Sequence, residues 1–147
     1  MKNWQTKKGA VSRLKYKSGL EDQVAEQLTS TNVPFKYEPS DGKIKYTVPA
    51  EVRSYTPDFY ITTKSGKTII VETKGLWDSD DRKKHRLIKE QYPELDIRFV
   101  FHRSKTKLSK RSNTTYADIC EGKGRGKFKG LKWKYADKQI PIEWINE

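Results

Sequence analysis

Leu20, Val24 and Leu28 fall at four-residue intervals, so the first patterned segment of the 147-residue chain is predicted to be an amphipathic helix. Ser18 stands before this stripe and Glu21 three residues later, the spacing of a capping box. Pro34 ends the helix, and "FKY" can start a strand. "KIKYTVPAEV" alternates through Ile44, Tyr46 and Val48 until it meets Pro49. Proline cannot donate to a sheet ladder, so this segment is expected at an edge or as a connection between bodies. A strand near Tyr55–Thr63, a turn at "KSGK" and a strand near Thr68–Lys74 come next, and the run Ile69, Ile70, Val71 implies burial on both faces. "DSDDRKKHRLIKEQ" has acidic residues and Ser at its start and Leu87 and Ile88 inside it, which suits a helix. "PELD" turns the chain into "IRFVF", another buried strand. Strand, helix, strand in that order implies a parallel, right-handed crossover. Beyond it, "TTYADICE" suggests a short helix capped by Asn113 or Thr114, "LKWKY" a strand, and "PIEWI" a segment that tucks Trp144 against the body. "GKGRGKFKG" lacks the spacing of a nucleotide cradle and is expected to be a flexible loop.

Composition alters this picture in two ways. Only 33% of residues are apolar, and with 34% charged that leans toward disorder. Seventeen aromatics, four of them Trp, lean back toward a packed core. The expected compromise is a folded domain with basic ends, completing its core by association, since a small domain buries little surface alone. Thirty-one Lys and Arg against nineteen Asp and Glu leave +12, which points to a polyanion such as nucleic acid. Residues 1–17 hold six basic residues and no acidic one, and are expected to be a flexible arm that touches phosphates or is simply solvated. Cys120 is alone, which argues against a disulfide framework, and no apolar run suits a membrane span or a signal peptide. An intracellular protein is expected. His85 and His102 lack paired zinc-ligand spacing and are read as structural or phosphate-contacting.

The candidate chemistry lies in "TPDFYITTKSGKTIIVETKG". Side chains alternate across a strand, so Glu72 and Lys74 leave one face about 7 Å apart, and a hairpin partner could bring Asp58 beside them. Carboxylates and an ammonium at one end of a hairpin suit phosphodiester hydrolysis assisted by hard cations. Pro57-Asp58 and Glu72-Thr73-Lys74, with thirteen residues between Asp58 and Glu72, form a PD…(D/E)xK pattern. Asp41–Lys43, Asp81–Lys83 and Glu121–Lys123 repeat the triplet by chance in a lysine-rich chain; only Glu72 ends a buried strand. Glu21 reads either as a helix cap or as a further carboxylate of the same site.

"SGLED", "YTPDF", "VETKGLW", "SDDRKKH", "PELDIR" and "ADKQIPIEWI", in order from about Ser18 to Ile145, resemble the bacteriophage endonuclease I family. These are the Holliday-junction resolvases of T-seven-like phages, within the PD-(D/E)XK nucleases. The resemblance implies an α/β fold with a restriction-endonuclease-like core: a mixed β-sheet flanked by helices, in an intertwined, domain-swapped homodimer. Residues 18–147 would be one nuclease domain and 44–52 the bridge between subunits, so that Glu21 reaches the site of the other chain. The family's catalytic residues fall on Glu21, Asp58, Glu72 and Lys74. Asp58, Glu72, Glu21 and the Thr73 backbone carbonyl would hold one or two Mg²⁺, with Mn²⁺ able to substitute. The implied activity is structure-selective endonucleolytic cleavage of four-way junctions and other branched DNA by paired nicks, in the cytoplasm of the infected bacterium, with no membrane and no nucleotide cofactor. Arg13, Lys15, Lys17, Arg82, Lys83, Lys84 and His85 are candidate DNA contacts, against the alternative of a solvated charged face. Two further readings share the core: a restriction-type duplex endonuclease and a non-catalytic branched-DNA-binding protein. "GKGRGKFKG" is longer and more basic than the family leads one to expect, and a basic C-terminal tail is missing after Glu147.

Overall fold

Why the chain folds as an α/β unit is clearest at its central strand. The computed structural model describes residues 16–48 and 51–147. β5 (Thr68–Lys74) is buried from Ile69 to Thr73, and it carries apolar side chains on both faces because both faces are covered. Around it stand β1 (Phe35–Tyr37), β4 (Phe59–Thr62), β6 (Ile97–Phe101) and β9 (Tyr135–Asp137), in the order β1-β4-β5-β6-β9. β1, β4 and β5 pair antiparallel, whereas β6 lies parallel to β5 and β9 parallel to β6. The sheet is therefore mixed. The β5–β6 crossover runs through α2 (Ser79–Gln91), capped by the Asp78 carboxylate, which accepts from Asp81 N at 2.8 Å.

Alternation along β5 divides the core. Ile69 and Val71 face α1 (Gly19–Ser30), whose Val24 and Leu28 join Phe35, Phe59, Ile61 and Trp144 in one cluster. Ile70 faces the other way, toward Ile88 of α2 and Ile97. A third cluster of Trp77, Phe99, Phe101, Tyr116 and Trp133 extends that second layer. The predicted cap on α1 forms by half: Ser18 Oγ accepts from Glu21 N at 3.1 Å, while the Glu21 carboxylate accepts from the Ser18 and Tyr37 hydroxyls and not from Ser18 N. α1 ends at Ser30, and Asn32 in the left-handed region turns the chain toward Pro34 and β1. Trp144 lies in α4 (Ile142–Ile145) and is buried as predicted.

Several predicted elements differ. The strand near Tyr55–Thr63 is two pieces, β3 (Glu51–Tyr55) and β4, parted at Thr56-Pro57-Asp58, where proline interrupts the ladder. β2 (Ile44–Val48) pairs with β3 as a ribbon from Ile44↔Tyr55 to Val48↔Glu51. Gln91 fixes this ribbon to α2 by bonding Thr47 N and O at 2.7 and 2.6 Å. α3 (Tyr116–Cys120) is capped by Thr115 in a full capping box, one residue beyond the expected Asn113 or Thr114. "GKGRGKFKG" is no loop: β7 (Glu121–Lys123), one 3₁₀ turn (Gly126–Phe128) and β8 (Lys129–Lys132) form a second ribbon with positive φ at Gly122, Gly126 and Gly130. "LKWKY" breaks between β8 and β9 at Trp133 and Lys134, where Trp133 turns inward to the core. The described part of the basic arm begins at Tyr16; Arg13 and Lys15 lie outside the described residues.

Candidate active site

Pro57 ends one strand so that Asp58 stands one residue before β4, beside the C-terminal end of β5. Two bonds orient its carboxylate. Thr73 N and Thr73 Oγ1 both donate to Asp58 Oδ2, at 2.9 and 2.8 Å. Oδ1 receives no hydrogen bond from the described residues and is the oxygen left for a ligand. Burial raises the Asp58 pKa to about 8, the charges of Glu72 and Glu21 add to the rise, and the Thr73 bonds act against it.

Glu72 comes from the same end of β5 but faces the α2 side. Its Oε2 accepts from the Tyr55 hydroxyl at 2.6 Å and from Asp58 N at 3.1 Å. Its Oε1 lies 3.4 Å from Lys74 Nζ, whose other partner is Asp81 Oδ2 at 3.2 Å. The lysine side chain is 11% exposed. Burial disfavours its charge, yet Glu72 and Asp81 outweigh burial and hold its pKa above the ordinary value. Tyr55 is buried and its pKa is raised first by burial and then by Glu72, so it stays a donor.

On the α1 side, Glu21 accepts from the Tyr37 hydroxyl and from Ser18 Oγ, the latter at 3.1 Å. Ligand oxygens of Glu21, Glu38 and Asp58 lie within 4.8 Å of one another, a spacing at which three carboxylates can hold a cation. Glu38 follows β1, donates its own N–H to Asp58 O at 3.0 Å, and pairs with Lys17 Nζ at 2.9 Å. Glu72 stands outside this trio because Tyr55 and Lys74 hold it on the other face. Within the single chain, Glu21 thus meets its own Asp58. The donor set is hard oxygen, and burial together with the neighbouring carboxylates Glu72 and Glu21 opposes the charge of Asp58; a hard divalent cation fits both features.

The family model of phage endonuclease I matches residues 1–147. Endonuclease I of Escherichia phage T7 is 52% identical over 132 residues, which cover 90% of this chain and 79% of that protein. Endodeoxyribonuclease 1 of Enterobacteria phage T3 is 48% identical over 132 residues, with 90% and 78% covered. This chain belongs to the phage endonuclease I family. It is a deoxyribonuclease.

For this endonuclease the remaining sequence candidates fall unevenly. Lys83 is exposed and Lys17 is 74% exposed, whereas Arg82 is half-buried and donates to the Trp77 carbonyl. Lys84 lies 3.2 Å from Asp81 Oδ1 and over the Tyr55 ring. His85 is fully buried against Tyr55 and Phe99, and burial, then Lys74 and Lys84, hold its pKa well below the ordinary value. Glu38, Asp81, Tyr37 and Tyr55 escaped the sequence reading. Asp81 heads one of the further DxK triplets, and its place in the first turn of α2 is what delivers it to Lys74. Among the described residues, no helix is long and apolar enough to cross a membrane.

Proposed function

We propose that this endonuclease resolves Holliday junctions and other branched DNA by paired nicks, with Mg²⁺ as cofactor. The observation that carries the reading is the fixed Asp58: Thr73 orients it, Glu21 and Glu38 flank it on one side, and the Glu72–Lys74–Asp81 chain flanks it on the other. Asp58, Glu21, Glu72 and the Thr73 carbonyl, with Glu38 added, are the residues that would hold one or two ions, Asp58 standing between the Glu21–Glu38 side and the Glu72 side. Bound there, Mg²⁺ supplies positive charge against the charge that develops on the phosphate. Lys74 presents its ammonium to the same phosphate, and Glu72 and Asp81 keep it charged and in place. Tyr55 holds Glu72 and frees Lys74 from following a mobile carboxylate.

The core is read as restriction-endonuclease-like and the working unit as a homodimer that exchanges α1 and β1. The β2–β3 ribbon supports this reading physically: with its two strands parted, it would carry α1 and β1 to a second chain, where the same contacts re-form. Residues 18–147 act as one nuclease domain, and the basic arm before it follows the backbone of the DNA. Recognition of branched DNA then rests on shape and phosphate contacts, not on base edges. The setting is the cytoplasm of an infected bacterium.

The test incubates the protein with a four-way junction and with a linear duplex of matched sequence, in Mg²⁺ or in Ca²⁺. Paired nicks in the junction alone, in Mg²⁺, are expected. Equal cutting of the linear duplex would favour a restriction-type enzyme on the same core. Lys74→Ala should lower cleavage by at least ~10³-fold while junction binding survives; a rate near wild type would remove Lys74 from its role.

A further inference from the structure

Much of this molecule's charge lies far from the carboxylates in sequence. Residues 103–134 hold eleven Lys and Arg against two acids, Asp118 and Glu121, in a chain whose net charge is +12. They include the glycine-lysine segment that the fold orders as the β7–β8 ribbon. Lys123 is paired with Glu121, but Arg125, Lys127, Lys129 and Lys132 are exposed and form no ion pair among the described residues. A flexible basic loop could trail in solvent at little cost, whereas a ribbon fixes its cations at one place.

Beside this ribbon lies a cavity of about 350 Å³ lined by Arg82, Arg111 and Arg125, with Ser112 and Thr114 hydroxyls and the Phe128 ring. No carboxylate lines it, and none of the three guanidiniums is ion-paired among the described residues. Three cations around one hollow repel each other unless an anion sits between them, and guanidinium forks match the oxygens of a phosphate. Arg82 is anchored through the Trp77 carbonyl, and it follows Asp81, the residue that holds Lys74. One turn of α2 therefore faces the cleavage centre with one residue and the arginine cavity with the next.

We propose that this cavity is a second, non-catalytic phosphate seat, which takes a backbone phosphate of the DNA strand next to the one being cut, with the β7–β8 ribbon continuing the contact along that arm. The inference rests on the reading of the protein as an endonuclease of branched DNA. The ligand is a nucleic-acid phosphodiester rather than a free anion, because the unpaired cations run on from the cavity along the ribbon.

The experiment measures binding of wild type and Arg111→Gln/Arg125→Gln protein to a four-way junction and to a linear duplex, in EDTA so that strands stay intact, over a series of salt concentrations. The double variant should bind both DNAs about 10-fold or more weakly near physiological salt, with the slope of log affinity against log salt smaller by about 2. Arg111→Lys/Arg125→Lys protein keeps the charge and should recover most of the slope; thermal melting of all variants checks the fold. An unchanged slope in the folded Gln variant overturns the proposal. So does a slope unchanged for DNA while inorganic phosphate stabilises wild type but not the variant, which would make the cavity a site for free anions. If wild type bound junction and duplex equally, the preceding reading would fail, while the slope comparison, made on both DNAs, would still decide the seat.

Discussion

In the proposed reading Asp58 serves as a metal ligand at neutral pH, although its surroundings oppose its charge. Its pKa is about 8 in the fold, against an ordinary 3.8, so the folded protein without metal keeps a proton that the unfolded chain has released. Its contribution is then fully present below about pH 4 and is lost as pH climbs through about 8. Thermal melts in EDTA should show wild type losing stability across that interval and Asp58→Asn protein losing much less. At about pH 8 the variant should be the more stable by on the order of 1–2 kcal/mol, a few degrees in Tm. A divalent cation should reverse the order, because it binds the ionised wild type; Asp58→Asn protein that melts lower than wild type in EDTA would refute the account. At this scale the site was half legible. Asp58, Glu72 and Lys74 could be picked out because a buried strand gives a carboxylate a fixed address. Glu38 could not, since it meets Glu21 and Asp58 only through the folding of separate elements; Asp81 lies seven residues from Lys74, but only the turn from β5 into α2 brings its carboxylate back to the lysine.

The β5–α2–β6 crossover is the element that holds the lysine side of the site, and it contains an uncompensated group. Both ring nitrogens of His85 are buried without a hydrogen-bond partner among the described residues. Burial, Lys74 and Lys84 keep the ring neutral in the fold. A depressed folded pKa means that its stabilising contribution is present above about pH 6.5 and is lost as pH falls below that. His85→Leu removes the group at similar volume and leaves the Tyr55–Glu72 bond intact. Urea unfolding should show the variant at about pH 5 losing roughly 1–2 kcal/mol less than wild type, relative to each protein at pH 8. Equal losses would place the acid sensitivity elsewhere. The elements themselves were largely readable, because period and burial agree in α1, β5, α2 and β6. What misled was composition: "GKGRGKFKG" has the residues of a flexible loop, yet its glycines take up the positive φ values that let two short strands pair. His85 misled in the same way, since a charged sequence neighbourhood concealed an inward-facing ring.

At the scale of the whole molecule, the proposed exchange of α1 turns on which chain supplies Glu21. Mixing Glu21→Ala with Asp58→Ala protein and allowing subunits to exchange decides it. With α1 swapped, one site of each heterodimer carries both defects and the other is intact, so nicking should return to roughly half of the wild-type rate in heterodimers. Sites built within one chain keep one defect each, and nicking should stay absent. Sequence could not settle this, because a swapped and a closed chain make the same contacts from the same residues. At the opposite end of the sheet, Arg98 is fully buried and clamps Asp96 and Glu147, while Ser65 N donates to Glu147 O at 3.2 Å. Ser65 precedes β5 and Lys74 ends it, and a strand of that length spans about 20 Å. A fluorophore, bead or fused partner attached through Glu147 would therefore be held a full strand length from Lys74, and on the proposed reading the cleavage centre would be left clear.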